Sequence, residues 1–119
     1  MFVTFSRGHL ASADRAAFTD SARRSVAAAN DQPGCVIYRQ MVDLFDPETV
    51  YVIEAWESEE TFQRHAGADY HHRRIEELVG LDFQPQESYR FGVADWRRGP
   101  GADLPALLAG LADSGITEP

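Results

Sequence analysis

The spacing of hydrophobic and polar residues along the chain predicts four β-strands. Aromatic and β-branched residues dominate residues 1–7, and Gly8 is expected to end this first strand. Two further strands are predicted over residues 35–43 and 49–56, and because an Asp-Pro turn separates them, they form an antiparallel hairpin. A fourth strand is predicted over residues 88–96, where apolar and polar residues alternate.

Helical spacing of apolar residues predicts a helix between the first two strands. It is expected to begin with Ser12 as its N-cap and to end before the Pro33-Gly34 turn. Its buried stripe is expected to consist of Phe18, Ala22, Val26 and Ala29.

A second helical region follows the hairpin. Ser58 is expected to cap its first segment, Gly67 to interrupt it, and Asp69 to cap a second segment that ends near residue 79. The apolar stripe of this second segment is predicted to be Ile75, Leu78 and Val79. The arginine pairs at 23–24 and 73–74 are predicted to lie on solvated helix faces.

The resulting order, β-α-β-β-α-β, is that of the ferredoxin-like α+β fold, in which helices cover one face of a four-stranded antiparallel sheet. We assign residues 1–98 to this domain. Residues 99–119 form a tail in which the spacing of the leucines predicts a short amphipathic C-terminal helix, with Leu104, Leu107, Leu108 and Leu111 on one side.

The third strand predicts a homodimer. Val52 and Trp56 point to one face of the sheet, whereas Tyr51 and Ile53 point to the other, so both faces are apolar. The helices can cover only one of them. Because soluble monomers rarely expose a large apolar patch, we expect two sheets to pair about a two-fold axis.

Composition and charge restrict the partners. Hydrophobic residues make up 44% of the chain and charged residues 25%, as in globular domains, and the net charge of −8 disfavours nucleic acids and anionic membranes. The sequence shows neither a membrane-spanning apolar run nor the pattern of a secretion signal. The single cysteine, Cys35, is expected to be a buried structural thiol, which suits the reducing cytoplasm.

Aromatic, imidazole and carboxylate side chains cluster within residues 51–72, where we expect the functional site. Trp56 is suited either to wall a cavity and donate its indole N–H to an oxyanion, or to fill the core. His65 is suited either to accept a proton or to stabilise the end of its helix. One of His71 and His72 is expected to face inward, and no metal site is predicted because no third ligand has suitable spacing.

Two further residues have alternative interpretations. Glu54 lies on the Trp56 face of its strand, and because a buried carboxylate needs a partner, we favour an ion pair with Arg39 or Arg90 over a role as general base. Tyr38 is expected to line either the pocket or the dimer interface.

A run of motifs over residues 33–80 is typical of a known family. A Pro-Gly turn precedes a strand with Tyr38, an Asp-Pro turn follows, and the next strand ends in Glu54-Ala55-Trp56 before an acidic helix start carrying Phe62 and His65. This run resembles the antibiotic biosynthesis monooxygenase family. The resemblance implies a dimeric α/β barrel made from two ferredoxin-like subunits.

The resemblance also implies several activities. Members oxidise anthrones or phenols to quinones without a cofactor, degrade haem, or bind and oxidise quinol-like metabolites. Haem degradation is disfavoured here, because the first strand has no Asn and His65 occupies the helical Trp position of that pattern. Val52 and Phe62 stand where polyketide-tailoring members have an Asn and a Tyr, Tyr70 stands where relatives often have a His, and Trp56 matches unchanged.

We therefore expect a cofactor-independent monooxygenase that oxidises a polycyclic phenol or anthrone with O₂. Trp56 and His65 are the predicted catalytic residues, and the predicted substrate-binding residues are Tyr38, Val52, Glu54, Phe62, Tyr70 and His72. The alternative from another class is a non-catalytic dimeric protein that binds and protects a small aromatic or quinone metabolite. An isomerase or cyclase on the same scaffold is a third possibility, and none of the three requires a cofactor.

Overall fold

The computed structural model describes residues 1–99 and 103–109 and shows the predicted order of elements. One antiparallel sheet in the order β2-β3-β1-β4 contains β1 (Phe2–Leu10), β2 (Cys35–Val42), β3 (Thr49–Trp56) and β4 (Phe83–Gly92). The helices are α1 (Arg15–Asn30), α2 (Glu59–Ala66), α3 (Asp69–Val79) and α4 (Leu104–Ala109). The predicted ferredoxin-like α+β fold is confirmed.

The first strand does not end at Gly8 but continues to Leu10. The register between β1 and β4 shifts between Arg7 and Gly8, as at a β-bulge. A Cβ at Gly8 would lie 2.5 Å from ring atoms of Phe83. The glycine therefore permits close packing of an aromatic ring inside the strand, and it does not form a turn.

The fourth strand begins at Phe83 and ends at Gly92, earlier at both ends than predicted. Its Pro85 is paired opposite Gly8 of β1. Because β4 is an edge strand, the missing N–H of a proline does not break a ladder on a second side.

Of the three predicted helix N-caps, one is confirmed and two are wrong. At α2, the Ser58 hydroxyl accepts a hydrogen bond from the Thr61 backbone N–H, which confirms the predicted cap. Ser12 instead lies in a 3₁₀ turn, where its N–H and hydroxyl donate to the Glu48 carboxylate, so it does not cap α1. Asp69 is the first residue of α3 and not its cap.

The core lies between the sheet and the helices in two clusters. The first contains Leu10, Phe18, Ala22 and Val50. The second contains Ala29, Tyr38, Trp56 and Phe62, against which half-buried Val26 and Cys35 pack. The predicted stripe of α1 therefore faces the core, although Val26 and the Cys35 thiol are less buried than expected.

The predicted apolar stripe of α3 is wrong at two positions. Ile75 and Val79 are exposed, whereas Arg74, predicted to be solvated, is 4% exposed. The helix is turned so that Tyr70, Arg74 and Leu78, spaced four residues apart, face inward. Long polar side chains can occupy such positions when buried acceptors lie within reach.

The opposite face of the sheet is largely apolar, with Arg7, Arg39 and Glu87 as charged residues, and α1, α2 and α3 do not cover it. Strand pairing places on it Val3, Phe5, Ile37, Met41, Tyr51, Ile53, Tyr89 and Phe91. The rings of Phe5 and Tyr51 stack with centroids 5.7 Å apart, and those of Tyr89 and Phe91 are 6.4 Å apart. About half of the Tyr89 and Phe91 surfaces remains exposed.

The predicted C-terminal helix exists as α4, in which Leu104 and Leu108 are exposed. Leu111, the last leucine of the predicted stripe, lies outside the described residues. Within the described ranges, every helix is too short or too polar to cross a bilayer.

Candidate functional site

A cavity of about 250 Å³ lies between the sheet and α3. Its polar lining includes Tyr38, Gln40, Glu54, His71 and Arg74. Its apolar lining includes Phe18, Val50, Val52, Ile75, Leu78 and Phe83. Apolar walls with a few convergent polar groups are typical of ligand sites.

A larger groove of about 400 Å³ runs between α1 and strands β2 and β3. Its walls are mostly apolar, and the described lining residues include two arginines, Arg15 and Arg23, but neither a carboxylate nor an imidazole. We therefore place the candidate site in the smaller cavity, where groups able to transfer protons are collected.

Glu54 is the carboxylate of the cavity wall that is not paired with an arginine; the other, Glu87, is paired with Arg7. The Thr4 hydroxyl donates to its Oε2 at 3.0 Å, and the Trp56 indole N–H donates to its Oε1 at 3.1 Å. Burial raises the pKa of the Glu54 carboxyl, while the hydrogen bonds from Trp56 and Thr4 act in the opposite direction. A carboxylate held by fixed donors, with a raised pKa, has the properties of a general base.

The ion pair predicted for Glu54 does not form among the described residues. Arg39 lies opposite Ile53, on the other face of the sheet, and donates to the Asn30 side chain and the Tyr38 carbonyl. The Arg90 guanidinium lies 5.3 Å above the ring of Phe62. Neutral donors therefore make the direct hydrogen bonds to the Glu54 carboxylate, and the more distant charge of Arg90 adds a smaller effect that also lowers its pKa.

Trp56 and His65 lie behind Glu54. They are 0% and 1% exposed, and their rings stack with centroids 4.8 Å apart. His65 Nδ1 contacts the Tyr70 hydroxyl, and Nε2 lies 3.3 Å from Glu54 Oε1. Neither predicted catalytic residue is part of the described cavity lining, and both lie beside Glu54.

His71 extends this group of side chains into the cavity. Its ring centroid lies 4.5 Å from that of His65, and its Nδ1 is buried without a hydrogen-bond partner among the described residues. Burial lowers the pKa of the His71 imidazole. His72, the predicted substrate-binding residue, is exposed, so the structure turns His71 and not His72 towards the cavity.

The predicted site residues thus fall into three places. Tyr38, Val52 and Glu54 line the cavity. Trp56, Phe62, His65 and Tyr70 form the packed layer beside or behind it. The third place is the exposed surface, where His72 lies. The expectation that one of the two neighbouring histidines faces inward is confirmed, but by His71 and not by the selected His72. Sequence reasoning missed Gln40 and Arg74 as lining residues, and the four-residue spacing of Tyr70, Arg74 and Leu78 was the signal available for Arg74.

Burial gives His65 an unusual titration. It lowers the pKa of the imidazole from 6.5 to about 4, and proximity to His71 acts in the same direction. The Glu54 carboxyl, the Tyr70 and Tyr38 hydroxyls and the His71 imidazole surround the ring. His65 is therefore neutral at neutral pH.

Acid is expected to destabilise the protein through His65. Between pH 6.5 and about 4 the unfolded chain binds a proton here that the folded chain does not. The free energy of unfolding is therefore highest with respect to this group above pH 6.5 and falls by about 3 kcal/mol as the pH decreases towards the folded-state pKa. Urea unfolding at stepped pH values measures this slope.

The matched variants for this experiment are His65→Gln and His72→Gln. The first should reduce the dependence of unfolding free energy on pH, whereas the second, at an exposed position, should leave it unchanged. The opposite slope that Glu54 contributes through its raised pKa remains in both variants. An equal pH dependence in the two variants would show that His65 is not the titrating group.

The family model described as antibiotic biosynthesis monooxygenase matches residues 1–77. The chain belongs to the antibiotic biosynthesis monooxygenase family. Membership confirms the resemblance seen in the sequence and supports a monooxygenase-like function. A search of curated proteins gave no match.

Solved structures of several organisms share the fold of this antibiotic biosynthesis monooxygenase family member. A Deinococcus radiodurans protein provisionally assigned to the family is 16% identical, with a TM-score of 0.76 over 85% of this chain and 100% of its own. One from Nitrosomonas europaea is 14% identical, with a TM-score of 0.71 over 80% and 100%. A conserved Methanosarcina mazei protein is 18% identical, with a TM-score of 0.70 over 76% and 89%.

Proposed function

We propose that this family member is a cofactor-independent monooxygenase that oxidises a compact polycyclic phenol or anthrone to a quinone with O₂. The observation that carries the proposal is Glu54, a carboxylate with a raised pKa in the wall of an apolar cavity. Ligand pockets typically have volumes of about 300–1,000 Å³. The cavity of about 250 Å³ lies just below that range, which favours a flat substrate of two or three fused rings.

The substrate itself supplies the electrons in this proposal. Glu54 removes a proton from the phenol or from the activated C–H of the anthrone, which gives an electron-rich anion. The anion passes an electron to O₂, and recombination at the ring carbon gives a peroxide. Loss of water then leaves a carbonyl, so one oxygen atom enters the product and the other leaves as water. In the anthrone both hydrogens of this water come from the oxidised carbon, whereas in a phenol one comes from the hydroxyl and one from the oxidised ring carbon.

The residues behind the cavity set the properties of the base. The Trp56 N–H and the Thr4 hydroxyl fix the two carboxylate oxygens of Glu54, so the base is held in position before the substrate binds. His65, neutral and stacked on Trp56, holds the indole in place. In this proposal Trp56 and His65 are positioning residues, and Glu54 and His71 contact the substrate.

The proposal includes a homodimer. The apolar sheet face with Phe5, Tyr51, Tyr89 and Phe91 is of the kind that soluble proteins bury in assemblies. A second copy placed on it about a two-fold axis would cover the same residues in both subunits. Sedimentation equilibrium at micromolar concentration should give twice the chain mass, and a monomer would contradict this part of the proposal.

The activity is tested by mixing the protein with anthrone, a naphthol and a naphthalenediol without oxygen and then adding O₂. Protein-dependent oxygen uptake that matches quinone formation is the expected result. Saturable binding of these compounds without oxygen uptake would favour the protective binding protein instead. Conversion of substrate without oxygen consumption would favour an isomerase.

A further inference from the structure

Arg74 is a buried cation in the wall of the candidate cavity. It is 4% exposed, and its guanidinium lies 4.3 Å above the ring of Phe18. It donates hydrogen bonds to the Ser21 hydroxyl at 2.8 Å, the Phe18 carbonyl at 3.3 Å and the Gln40 side-chain oxygen at 3.1 Å. All three acceptors are neutral.

The charge of Arg74 has no counter-ion among the described residues. None of the ion pairs includes it, and Glu77, one turn further along α3, is paired with Arg24. Burial lowers the pKa of the Arg74 guanidinium, although arginine remains charged in proteins. Burying an unpaired charge is costly, so such a group is more often found where a ligand completes the pair.

The geometry leaves donors for such a ligand. A guanidinium has five N–H groups, and three of those of Arg74 are used by Phe18, Ser21 and Gln40. The Nε–H and one Nη2–H have no acceptor among the described residues. Two adjacent N–H groups of a guanidinium match the two oxygens of a carboxylate.

Two other charged residues of the lining, Arg7 and Glu87, are paired with each other at 3.0 Å. The groups nearest the proposed base are suited to a hydroxyl. His71 Nδ1 is buried without a described partner, and Glu54 is an acceptor held by two neutral donors. Neither a hydrogen bond nor an ion pair joins Arg74 to Glu54 within the described ranges. The cavity therefore presents separate sites for an anion and for a hydroxyl.

We propose that the ligand of this cavity is an aromatic hydroxy acid, whose carboxylate binds Arg74 and whose hydroxyl faces Glu54 and His71. The inference rests on the proposed function and specifies its substrate class. A phenolate formed by Glu54 could also supply an anionic oxygen to Arg74. The experiment therefore compares an aromatic compound with both a carboxylate and a hydroxyl with compounds that have the hydroxyl but no carboxylate.

The probes are 6-hydroxy-2-naphthoate, in which the two groups lie at opposite ends of the ring system, its methyl ester and 2-naphthol, whose binding is measured by calorimetry at neutral pH without turnover. For the unmodified protein we expect the acid to bind about 10- to 100-fold more tightly than the ester, since hydrogen bonds to a charged group are among the strongest. The naphthol should bind like the ester. Equal affinities for the acid and the ester would overturn the proposal without any variant.

Two variants test whether the preference for the acid over the ester depends on Arg74. Arg74→Met should bind the acid and the ester equally, because an apolar side chain of similar length replaces the charge. Arg73→Met, at the exposed neighbouring position, should keep the full preference. A preference that survives in folded Arg74→Met, as judged by its circular dichroism, would contradict the proposal.

Arg74→Lys keeps the charge without the paired donors, and we expect it to retain only part of the preference. If Arg74→Met does not fold, a full preference in Arg74→Lys would exclude paired recognition by the guanidinium. Because binding is measured separately from oxygen uptake, loss of the acid preference leaves the oxygenase proposal standing. Equally, a protein that prefers the acid but consumes no oxygen refutes only the oxygenase.

Discussion

Glu54→Gln is expected to lower kcat for oxygen-dependent turnover by about 10²- to 10⁴-fold, the usual contribution of a general base. The amide keeps the shape of the side chain but cannot accept a proton. Thr4 and Trp56 donate to the two carboxylate oxygens of Glu54, and an amide has only one oxygen that can accept. One of the two hydrogen bonds is therefore lost, and we expect a small loss of stability as well. Substrate affinity should change far less than kcat.

The pH profile distinguishes this role from a structural one. In the unmodified protein kcat should rise with pH as the Glu54 carboxyl loses its proton, with a midpoint above the ordinary glutamate pKa of 4.5 because burial raises this pKa. Glu54→Gln should lack this limb. Glu57→Gln, at an exposed position just beyond the same strand, is the matched control and should keep both the rate and the profile. Unimpaired turnover in Glu54→Gln would eliminate Glu54 as the base.

Trp56→Ala is expected to lower the free energy of unfolding by about 3–5 kcal/mol, as for other large aromatic side chains removed from a core. The indole is 0% exposed, stacks on His65 and donates to Glu54, so its removal leaves a cavity and an unsatisfied carboxylate oxygen. This loss is a large part of the 5–15 kcal/mol by which domains are stable. Urea denaturation followed by circular dichroism measures it.

Trp96→Ala is the control for this substitution, because the Trp96 side chain is 42% exposed and its loss should cost no more than about 0.5 kcal/mol. Trp56→Phe separates stability from electrostatics. It retains an aromatic ring but removes the N–H that lowers the Glu54 pKa, so the acid limb of kcat should move to higher pH. An unshifted limb in a folded Trp56→Phe protein would show that the indole has only a packing role.

The sequence predicted those parts of the fold that depend on neighbouring residues. The β2–β3 hairpin follows from an Asp-Pro turn between alternating segments, and Ser58 caps α2 because Thr61 lies three residues later. The helix break at Gly67 was also predicted. Such patterns depend only on residues close together in the sequence, so they can be recognised without knowing the rest of the fold. For Tyr38 the sequence left two places open, the pocket and the dimer interface, and the structure places it in the cavity wall.

The parts that could not be predicted depend on distant residues. The burial of Arg74 requires acceptors on α1 and β2, which no pattern within α3 reveals. Glu54 has neutral partners because the register places Thr4 opposite it, while Arg39 projects to the other face. The early start of β4 likewise depends on the bulge at Gly8 in the neighbouring strand. Each of these outcomes is decided by tertiary packing.

The proposed base and the residues proposed to recognise the substrate lie on different elements, which has a consequence for how this family diversifies. The proposed base and the indole that orients it come from the end of β3, whereas four lining residues, His71, Arg74, Ile75 and Leu78, come from the eleven residues of α3. The two side chains proposed to recognise the hydroxyl and the carboxylate, His71 and Arg74, thus lie in one short segment bounded by Gly67 and Gly80, apart from the proposed base. Exchange of this segment between relatives, by evolution or by design, could change which substrate binds while the reaction is preserved.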